Sequence, residues 1–251
     1  MLKLFTKDGL NFSIPKKKKF NPRLITTDYI NEALIFSYKM TYGRDGEHRR
    51  HRSGGSHQRK NGEVFCDTFQ GKLSEFYTYQ RLKENGISSS KPDIETWELG
   101  KWDYADLVVS NKLINIKSMA FFSNLLLLET KDWDDSGLYI PNETYYDYFV
   151  IVRIKPDVKS IFRSKRLLYS DNIDFEYLKE IILSQCFEAD IPGFIDNNKL
   201  KEIIKIKQIL PKGSILNDKT KMDAENYYLI SDDFNNIFEL RDLLIENQKN
   251  V

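Results

Sequence analysis

The sequence contains little cysteine and histidine and has no long apolar run. Its 251 residues include two cysteines, Cys66 and Cys186, and three histidines. Because the cysteines lie far apart and no signal-peptide pattern opens the chain, we expect reduced thiols in a cytoplasmic protein. A membrane-spanning helix needs about 20 consecutive apolar residues, and no run of that length occurs. These absences argue against a disulfide-stabilised secreted protein and against a membrane protein.

Positive charge is also not in excess. The chain has 38 Lys and Arg residues against 37 Asp and Glu residues, which gives a formal net charge of +1. A role with nucleic acid must therefore be argued from local clusters of charge. The phosphate-binding pattern GxxxxGK[ST] is missing, so neither an ATP-driven motor nor a nucleotide cofactor is expected.

The middle of the chain predicts a helix, a hairpin and a strand. Apolar residues at helical spacing predict a helix over 67–85. The runs 105–109 and 112–117 predict two strands joined by a tight two-residue turn. The apolar run 146–154 predicts a strand that is buried on both faces. This order of elements favours a mixed α/β (α+β) fold, with a central mixed sheet flanked by helices.

The flanking segments predict further helices and a basic arm. The first 20 residues end in PKKKKF, and we expect them to form a mobile arm before a helix over 27–40. Helices are also expected over 174–185, 198–209 and 232–247, with two short strands between 213 and 231. The predicted regions are an N-terminal region with arm, helix and basic loop at 1–66, a core at 67–156, and a C-terminal region at 157–251 that completes the fold.

The predicted hairpin gathers polar side chains that a strand does not need. Asp106 opens the first strand, and Asn115 and Lys117 lie on the second. Because side chains alternate along a strand, Asn115 and Lys117 share one face, and Asp106 can lie beside them across the turn. Mg²⁺ takes hard oxygen ligands, so Asp106, Asn115 and the Ile116 carbonyl predict a metal site. Lys117 would orient or deprotonate a water molecule, or hold a phosphate.

These residues resemble the signature of the PD-(D/E)XK nucleases, the superfamily of many restriction endonucleases. In that signature an Asp opens one strand, Asp/Glu-x-Lys lies on its hairpin partner, and a preceding helix often carries a Glu. The helix phrase GKLSEFYTYQRLKENG contains Glu75, so the resemblance covers roughly 67–155. It implies a restriction-endonuclease-like core and hydrolysis of DNA to a 5′-phosphate and a 3′-hydroxyl. The catalytic residues that it implies are Asp106, Asn115, Lys117 and Glu75, with Glu75 as a further metal ligand.

Position 115 departs from that signature, because the family usually has Asp or Glu there. An amide oxygen can bind Mg²⁺ but adds no charge, which leaves either a less charged active site or a degenerate member that does not cleave. Asp103 is a rival for Asp106, although it would point to the other face of a continuous strand. PDIE at 92–95 precedes the hairpin, and we interpret it as a loop. Apart from the resemblance, Asp106 could cap a turn and Lys117 could be a solvated strand end.

A second cluster of functional side chains lies in the loop expected at 42–63, which is rich in Gly, Arg and His. Arginines bind phosphates and guanine edges, so this loop is expected to contact DNA, with a solvated charged loop as the alternative. The DNA-binding candidates are Arg49, Arg50, His51, Arg52, Arg59 and Lys60. A zinc site is a further alternative, although paired cysteines are absent. Its ligands would be His48, His51, His57 and Cys66.

The acidic segment at 132–137 leaves another choice open. Asp132, or Glu129 shortly before it, could add a metal ligand. The alternative is a turn that is closed by a buried tryptophan.

The resemblance therefore predicts a Mg²⁺-dependent endodeoxyribonuclease, and the size of the chain favours a Type II restriction endonuclease. Such an enzyme would cleave double-stranded DNA at a specific sequence, often as a homodimer. The C-terminal region at 157–251 would then help to recognise the DNA or to form the dimer. The alternatives are a DNA-binding protein that does not cleave and a nuclease of DNA repair or recombination.

Overall fold

The structure, a computed structural model, describes residues 1–43, 58–95 and 105–249. Within these ranges the chain is a mixed α+β protein, as predicted, with six α-helices and three β-sheets. The helices are α1 (Thr27–Tyr42), α2 (Asn61–Glu84), α3 (Val158–Ser164), α4 (Phe175–Leu183), α5 (Asn197–Lys205) and α6 (Ile237–Lys249). The strands are β1 (Phe5–Thr6), β2 (Asn11–Ser13), β3 (Arg23–Leu24), β4 (Leu107–Val109), β5 (Lys112–Ala120), β6 (Leu125–Glu129), β7 (Tyr148–Lys155), β8 (Glu188–Asp196), β9 (Ile209–Leu210), β10 (Ile215–Leu216), β11 (Thr220–Lys221) and β12 (Asn226–Ile230). None of the described helices is long and apolar enough to cross a membrane.

A five-stranded sheet in the order β3-β8-β7-β5-β4 forms the centre of the fold. β5 runs parallel to β7, and the other neighbouring strands are antiparallel. The predicted hairpin is confirmed, because β4 and β5 pair on either side of Ser110 and Asn111. These two residues have φ angles of 47° and 62°, the two successive positive values of the turn that suits a twisted hairpin. β7 is buried from Phe149 to Ile154, as the sequence predicts.

The two faces of the sheet pack against different elements. On one face, Ile114 and Val150 join a core with residues of α1 and α2, such as Phe69. On the other face, Phe149 and Ile151 pack against residues of β6, α5 and the segment after β6. Because side chains alternate along β5, Ile116 lies on the α2 face, and Asn115 and Lys117 lie on the opposite face.

Helix α2 begins at Asn61, earlier than the predicted start at 67. The Gly62 N–H donates to the carbonyl of Ser170 at 3.0 Å, and a Cβ at Gly62 would lie 2.2 Å from a backbone oxygen. Only glycine allows this close approach, which anchors the first turn of the helix. The loop predicted over 42–63 therefore extends too far, because its last three residues belong to α2. Residues 44–57 lie outside the described residues.

A buried arginine holds the N-terminal segment against the sheet. Arg153 of β7 is 1% exposed and forms an ion pair with Asp190 of β8. Its guanidinium also donates to the backbone carbonyls of Lys18 and Lys19, at 2.9 and 2.8 Å. A buried guanidinium needs partners for its five donors, and these carbonyls provide two of the acceptors. Lys18, Lys19 and Phe20 of the predicted arm therefore contact this side chain, and the mobility of the arm stays a prediction.

The C-terminal region contributes a central strand that the sequence did not predict. β8 contains Pro192, Gly193 and acidic residues, which strand propensity disfavours, yet it pairs with β7 along most of its length. Helices α4 and α5 confirm the predictions for their segments. Helix α6 starts later than the predicted residue 232, because Asn235 exchanges backbone hydrogen bonds with Phe194 of β8. Between 213 and 231 there are three short strands instead of two.

Candidate active site

The hairpin register brings three predicted site residues together. Leu107 of β4 pairs with Ile114 of β5, so Asp106, which immediately precedes β4, lies beside Asn115. The Asp106 Oδ2 atom accepts a hydrogen bond from the Ile116 N–H at 2.5 Å. Since the N–H and C=O of one strand residue point to the same side, the Ile116 carbonyl projects from the same edge of β5. Asp103 lies outside the described residues.

Asn115 is buried and its amide oxygen is unsatisfied. The residue is 8% exposed, and its Oδ1 atom has no hydrogen-bond partner among the residues that the structure describes. Nearby, the Asn142 amide donates to the Tyr146 hydroxyl at 3.1 Å. The Asn115 oxygen is therefore not satisfied by the described side chains and backbone around it. A buried acceptor without a partner is costly, which favours a bound ligand at this point.

Asp106 and Lys117 each act on the pKa of the other. Burial raises the pKa of Asp106, and the Ile116 N–H, Lys117 and Lys72 oppose that shift. Burial lowers the pKa of Lys117, and the carboxylates of Asp106 and Asp132 oppose that shift. Each group is therefore closer to its neutral form than it would be in water, which suits Lys117 for accepting a proton.

Glu75 lies on α2, the helix that packs against β5, but its carboxylate is engaged by a lysine. The Lys72 Nζ atom lies 2.6 Å from Glu75 Oε2 and 2.7 Å from the carbonyl oxygen of Asp93. Lys72 is 8% exposed, and its charge also acts on Asp106. Sequence reasoning missed Lys72, although its position three residues before Glu75 on one helix face was a signal for an ion pair. Tyr146 was also missed, because its apolar strand context indicated only a core role.

The acidic segment after β6 forms the predicted turn. Asp134 accepts hydrogen bonds from the N–H groups of Ser136 and Leu138, both at 2.8 Å. Trp133 is 6% exposed and closes the turn as predicted. PDIE at 92–95 contains neither helix nor strand, which confirms its interpretation as a loop.

The oxygen atoms at the hairpin are of the kind that binds Mg²⁺, but only one residue among them, Asp106, supplies a carboxylate. They are the Asp106 carboxylate, the unsatisfied Asn115 Oδ1 and the Ile116 carbonyl, which are hard ligands that Mg²⁺ prefers. Among the described residues, no three His, Cys, Asp or Glu side chains gather to hold a metal. A divalent cation bound there would therefore take its remaining ligands from neutral oxygens and water.

The zinc alternative gains no support from the one candidate ligand that the structure describes. Cys66 lies buried in α2, and burial raises the pKa of its thiol. A raised pKa opposes the thiolate form that binds zinc. His48, His51 and His57 lie outside the described residues.

Most of the DNA-binding candidates fall outside the structure. Arg49, Arg50, His51 and Arg52 lie outside the described residues. The Nη1 atom of Arg59 lies 3.0 Å from the Asp67 carboxylate, and the ammonium of Lys60 lies 3.2 Å from the Asp171 carboxylate. Arg59 therefore pairs with a residue of α2 itself, whereas Lys60 pairs with the segment between α3 and α4.

No family model, curated protein or solved structure matches this chain. The function must therefore be argued from the geometry of the hairpin and its neighbours. A cavity of about 430 Å³ lies on the α2 face, and its lining includes Ile114 and Arg81 but neither Asp106 nor Lys117. The polar cluster on the hairpin lies instead where the pairing of β5 with the edge strand β4 ends.

Proposed function

We propose that this chain is a Mg²⁺-dependent endodeoxyribonuclease of the PD-(D/E)XK type, and specifically a Type II restriction endonuclease that cleaves double-stranded DNA. The observation that carries the proposal is the convergence of the Asp106 carboxylate, the unsatisfied Asn115 oxygen and the desolvated Lys117 at one end of the β4–β5 hairpin. A strand end in a purely structural role would not bury an unsatisfied amide beside two desolvated charges, because each of these features costs stability.

The order of elements supports a restriction-endonuclease-like core. Helix α2 packs on β5, and its Gln70 amide donates to the Ser118 hydroxyl of β5 at 3.4 Å. β4 and β5 carry the site, and β7 follows as the neighbouring parallel strand. The resemblance requires four parts in this order along the chain: a helix, a strand that an Asp opens, a strand that carries the lysine, and an apolar strand. Helix α2, β4, β5 and β7 follow that order.

The side chains suit hydrolysis of a phosphodiester. Lys117 Nζ, when neutral, accepts a proton from a water molecule, whose oxygen attacks the phosphorus. The bond between phosphorus and the 3′ oxygen breaks, and that oxygen takes a proton from solvent. Bound Mg²⁺ supplies stabilisation of the negative charge that develops on the phosphate. Asp106 is held by the Ile116 N–H, so its carboxylate is fixed before any ligand arrives.

A cleavage assay tests this proposal directly. Supercoiled plasmid incubated with the purified chain and Mg²⁺ should be cut at discrete positions, and EDTA should stop the reaction. Asp106→Ala and Lys117→Ala should each abolish cutting. Lys112→Ala is a matched control on the same strand, because the Lys112 ammonium pairs with Asp147 at 2.9 Å, away from the site residues. If plasmids from varied sequences are never cut, or if both site variants cut as well as the wild type, the proposal is wrong.

A second candidate function is DNA binding without cleavage, and the amide at position 115 favours it. Without a carboxylate there, the hairpin offers one negative charge to a divalent cation, and a nuclease fold that lost catalysis would keep its DNA contacts. This candidate predicts tight retention of duplex DNA in a mobility-shift assay together with no cutting in Mg²⁺ or Mn²⁺. Cutting only of branched or damaged DNA would instead indicate a repair or recombination nuclease.

A further inference from the structure

The cavity on the α2 face of the central sheet is separate from the hairpin site. Its volume is about 430 Å³, and its walls come from α2, from α6, from the sheet and from residues near 20 in the N-terminal segment. Small-molecule sites usually measure roughly 300–1,000 Å³. The cavity is therefore large enough for a small ligand.

The inner wall of this cavity is apolar and buried. Ile114 of β5 and Val150 of β7 contribute from the sheet, and Leu240 and Leu244 contribute from α6. None of these four residues is more than 2% exposed. An apolar group that enters the cavity would leave water for an apolar surrounding, which is favourable.

The charged side chains of the lining are nearly all cationic. Among the described residues, six are Lys or Arg and one is acidic, Asp190, although the whole chain has a net charge of +1. Asp190 is engaged by Arg153, with 2.8 Å between its Oδ1 atom and the Arg153 Nε atom. Arg81 and Arg241 pair with acids that lie outside the lining. An anion would therefore meet positive charge here, and the one carboxylate is already neutralised.

Two of the lining cations have no partner. Lys19 and Arg23 are exposed, and their side chains form no ion pair or hydrogen bond within the described parts of the chain. Lys18 differs from them, because its ammonium donates to the Pro192 carbonyl at 2.5 Å. Lys19 and Arg23 thus stand on the solvent side of the cavity, whereas the apolar wall lies deeper.

Tyr77 of α2 adds an unpaired hydroxyl to the lining. The residue is 2% exposed, and its hydroxyl has no hydrogen-bond partner in the described ranges. Burial raises the pKa of Tyr77 to about 12, so the hydroxyl keeps its proton at neutral pH and can donate. A buried polar group without a partner costs stability, and an anionic ligand would supply the missing acceptor.

We propose that this cavity binds a small amphipathic anion, with its apolar body against the buried wall and its carboxylate or phosphate head held by Lys19, Arg23 and the Tyr77 hydroxyl. A duplex backbone offers phosphates but no apolar group for the wall, so the lining favours an amphipathic molecule over DNA. The inference is independent of the proposed nuclease function, because neither Asp106 nor Lys117 lines the cavity.

Titration calorimetry with decanoate, below its micelle concentration, tests the inference on the wild-type chain. Decanoate or decyl phosphate should bind at one site per chain, and the tighter of the two identifies the preferred head. Decanol lacks the charge and acetate lacks the apolar body, so each should bind at least about tenfold more weakly. If neither decyl anion binds, or if decanol or acetate binds as tightly, the inference is wrong.

Two variants test the residues assigned to the anionic head. Arg23→Gln and Tyr77→Phe should each weaken decanoate binding about tenfold, because each removes one partner of the head. The matched controls are Arg163→Gln and Tyr79→Phe, since neither Arg163 nor Tyr79 lines the cavity, and both should bind decanoate like the wild type. Circular dichroism checks that each variant is folded. Wild-type affinity for decanoate in Arg23→Gln or in Tyr77→Phe would overturn the inference.

Competition with a duplex oligonucleotide separates this cavity from a surface that binds DNA. The duplex should leave decanoate binding unchanged. If the duplex displaces decanoate, and Arg23→Gln weakens the binding of both, the cations serve DNA and the inference is wrong. Decanoate binding that needs Arg23, in a wild-type chain that cuts no DNA, supports the inference and overturns only the nuclease function.

Discussion

The carboxylate of Asp106 accepts a hydrogen bond from the backbone N–H of Ile116, at the point where the pairing of β4 with β5 ends. If β4 extended further, a backbone carbonyl would satisfy this N–H. The aspartate side chain takes that place, immediately beyond the last residue of β4 that pairs with β5. The position of the acid is thus set by the hydrogen-bond pattern of the sheet itself, which gives the proposed site a rigid foundation.

We expect the cleavage rate to rise with pH until Lys117 is neutral. Burial lowers the pKa of Lys117 from its usual value of 10.5, so the rate should reach its plateau below that value. Lys117→Arg should lower the single-turnover rate by about 10²-fold or more at every pH, because arginine stays protonated and cannot accept the proton. Single-turnover cleavage from pH 6 to 10 provides the measurement, and an arginine variant with the wild-type rate would show that Lys117 only holds the phosphate.

The free energy of unfolding should depend on the titration of Asp106. Burial raises the pKa of Asp106 above its usual value of 3.8. A raised pKa in the folded state means that the stabilisation is present below pH 3.8 and is lost as the pH rises through the folded-state value. Relative to Asp106→Asn, the wild type should therefore become less stable between pH 4 and pH 7. Urea unfolding of both proteins across this range measures the difference, and a constant difference would contradict the raised pKa.

Loss of the Tyr146 hydroxyl should leave Asn142 without its acceptor. The Asn142 amide donates to this hydroxyl at 3.1 Å, and Tyr146 is buried. Tyr146→Phe should therefore lower the free energy of unfolding by about 1–3 kcal/mol. Urea unfolding measures the effect, and Tyr139→Phe in the same aromatic cluster is the comparison. An unchanged free energy of unfolding in Tyr146→Phe would show that this hydrogen bond does not stabilise the fold.

Arg153 should be important for stability. Arg153→Met leaves Asp190 buried without its cation and the Lys18 and Lys19 carbonyls without their donor, so we expect a loss of about 3–5 kcal/mol in the free energy of unfolding. The matched control is Lys155→Met on the same strand, where an exposed ammonium lies 3.9 Å from Glu188. This exposed pair should change stability by less than about 1 kcal/mol. Equal effects of the two variants in urea unfolding would show that the buried pair does not hold the N-terminal segment.

The hairpin was predictable because each of its determinants is local. Two turn residues that tolerate positive φ, with apolar residues before and after them, are sufficient to pair β4 with β5. The alternation of side chains along β5 then places Asn115 and Lys117 on one face. The neighbouring strand β7 was predicted from the apolar run at 146–154. Helix α2 was predicted from its spacing, although its first turn depends on a contact of Gly62 with residues near 170.

Other features depended on contacts between distant parts of the chain. β8 contains proline, glycine and acids, and it is a strand only because β7 offers it backbone partners and Arg153 binds Asp190. The same arginine holds a lysine-rich segment that composition marks as mobile. The spacing of Lys72 and Glu75 on α2 indicated an ion pair, but it did not show that Lys72 would be buried.

The amino-acid sequence by itself determined the hairpin, the shared face of Asn115 and Lys117, and the helix that precedes them, because turn geometry and side-chain periodicity act over a few residues. Only the tertiary structure decided that Asp106 binds the Ile116 N–H and that the Asn115 oxygen has no partner among the described residues. These relationships depend on burial and on how separate segments pack, and no local pattern of residues contains that information.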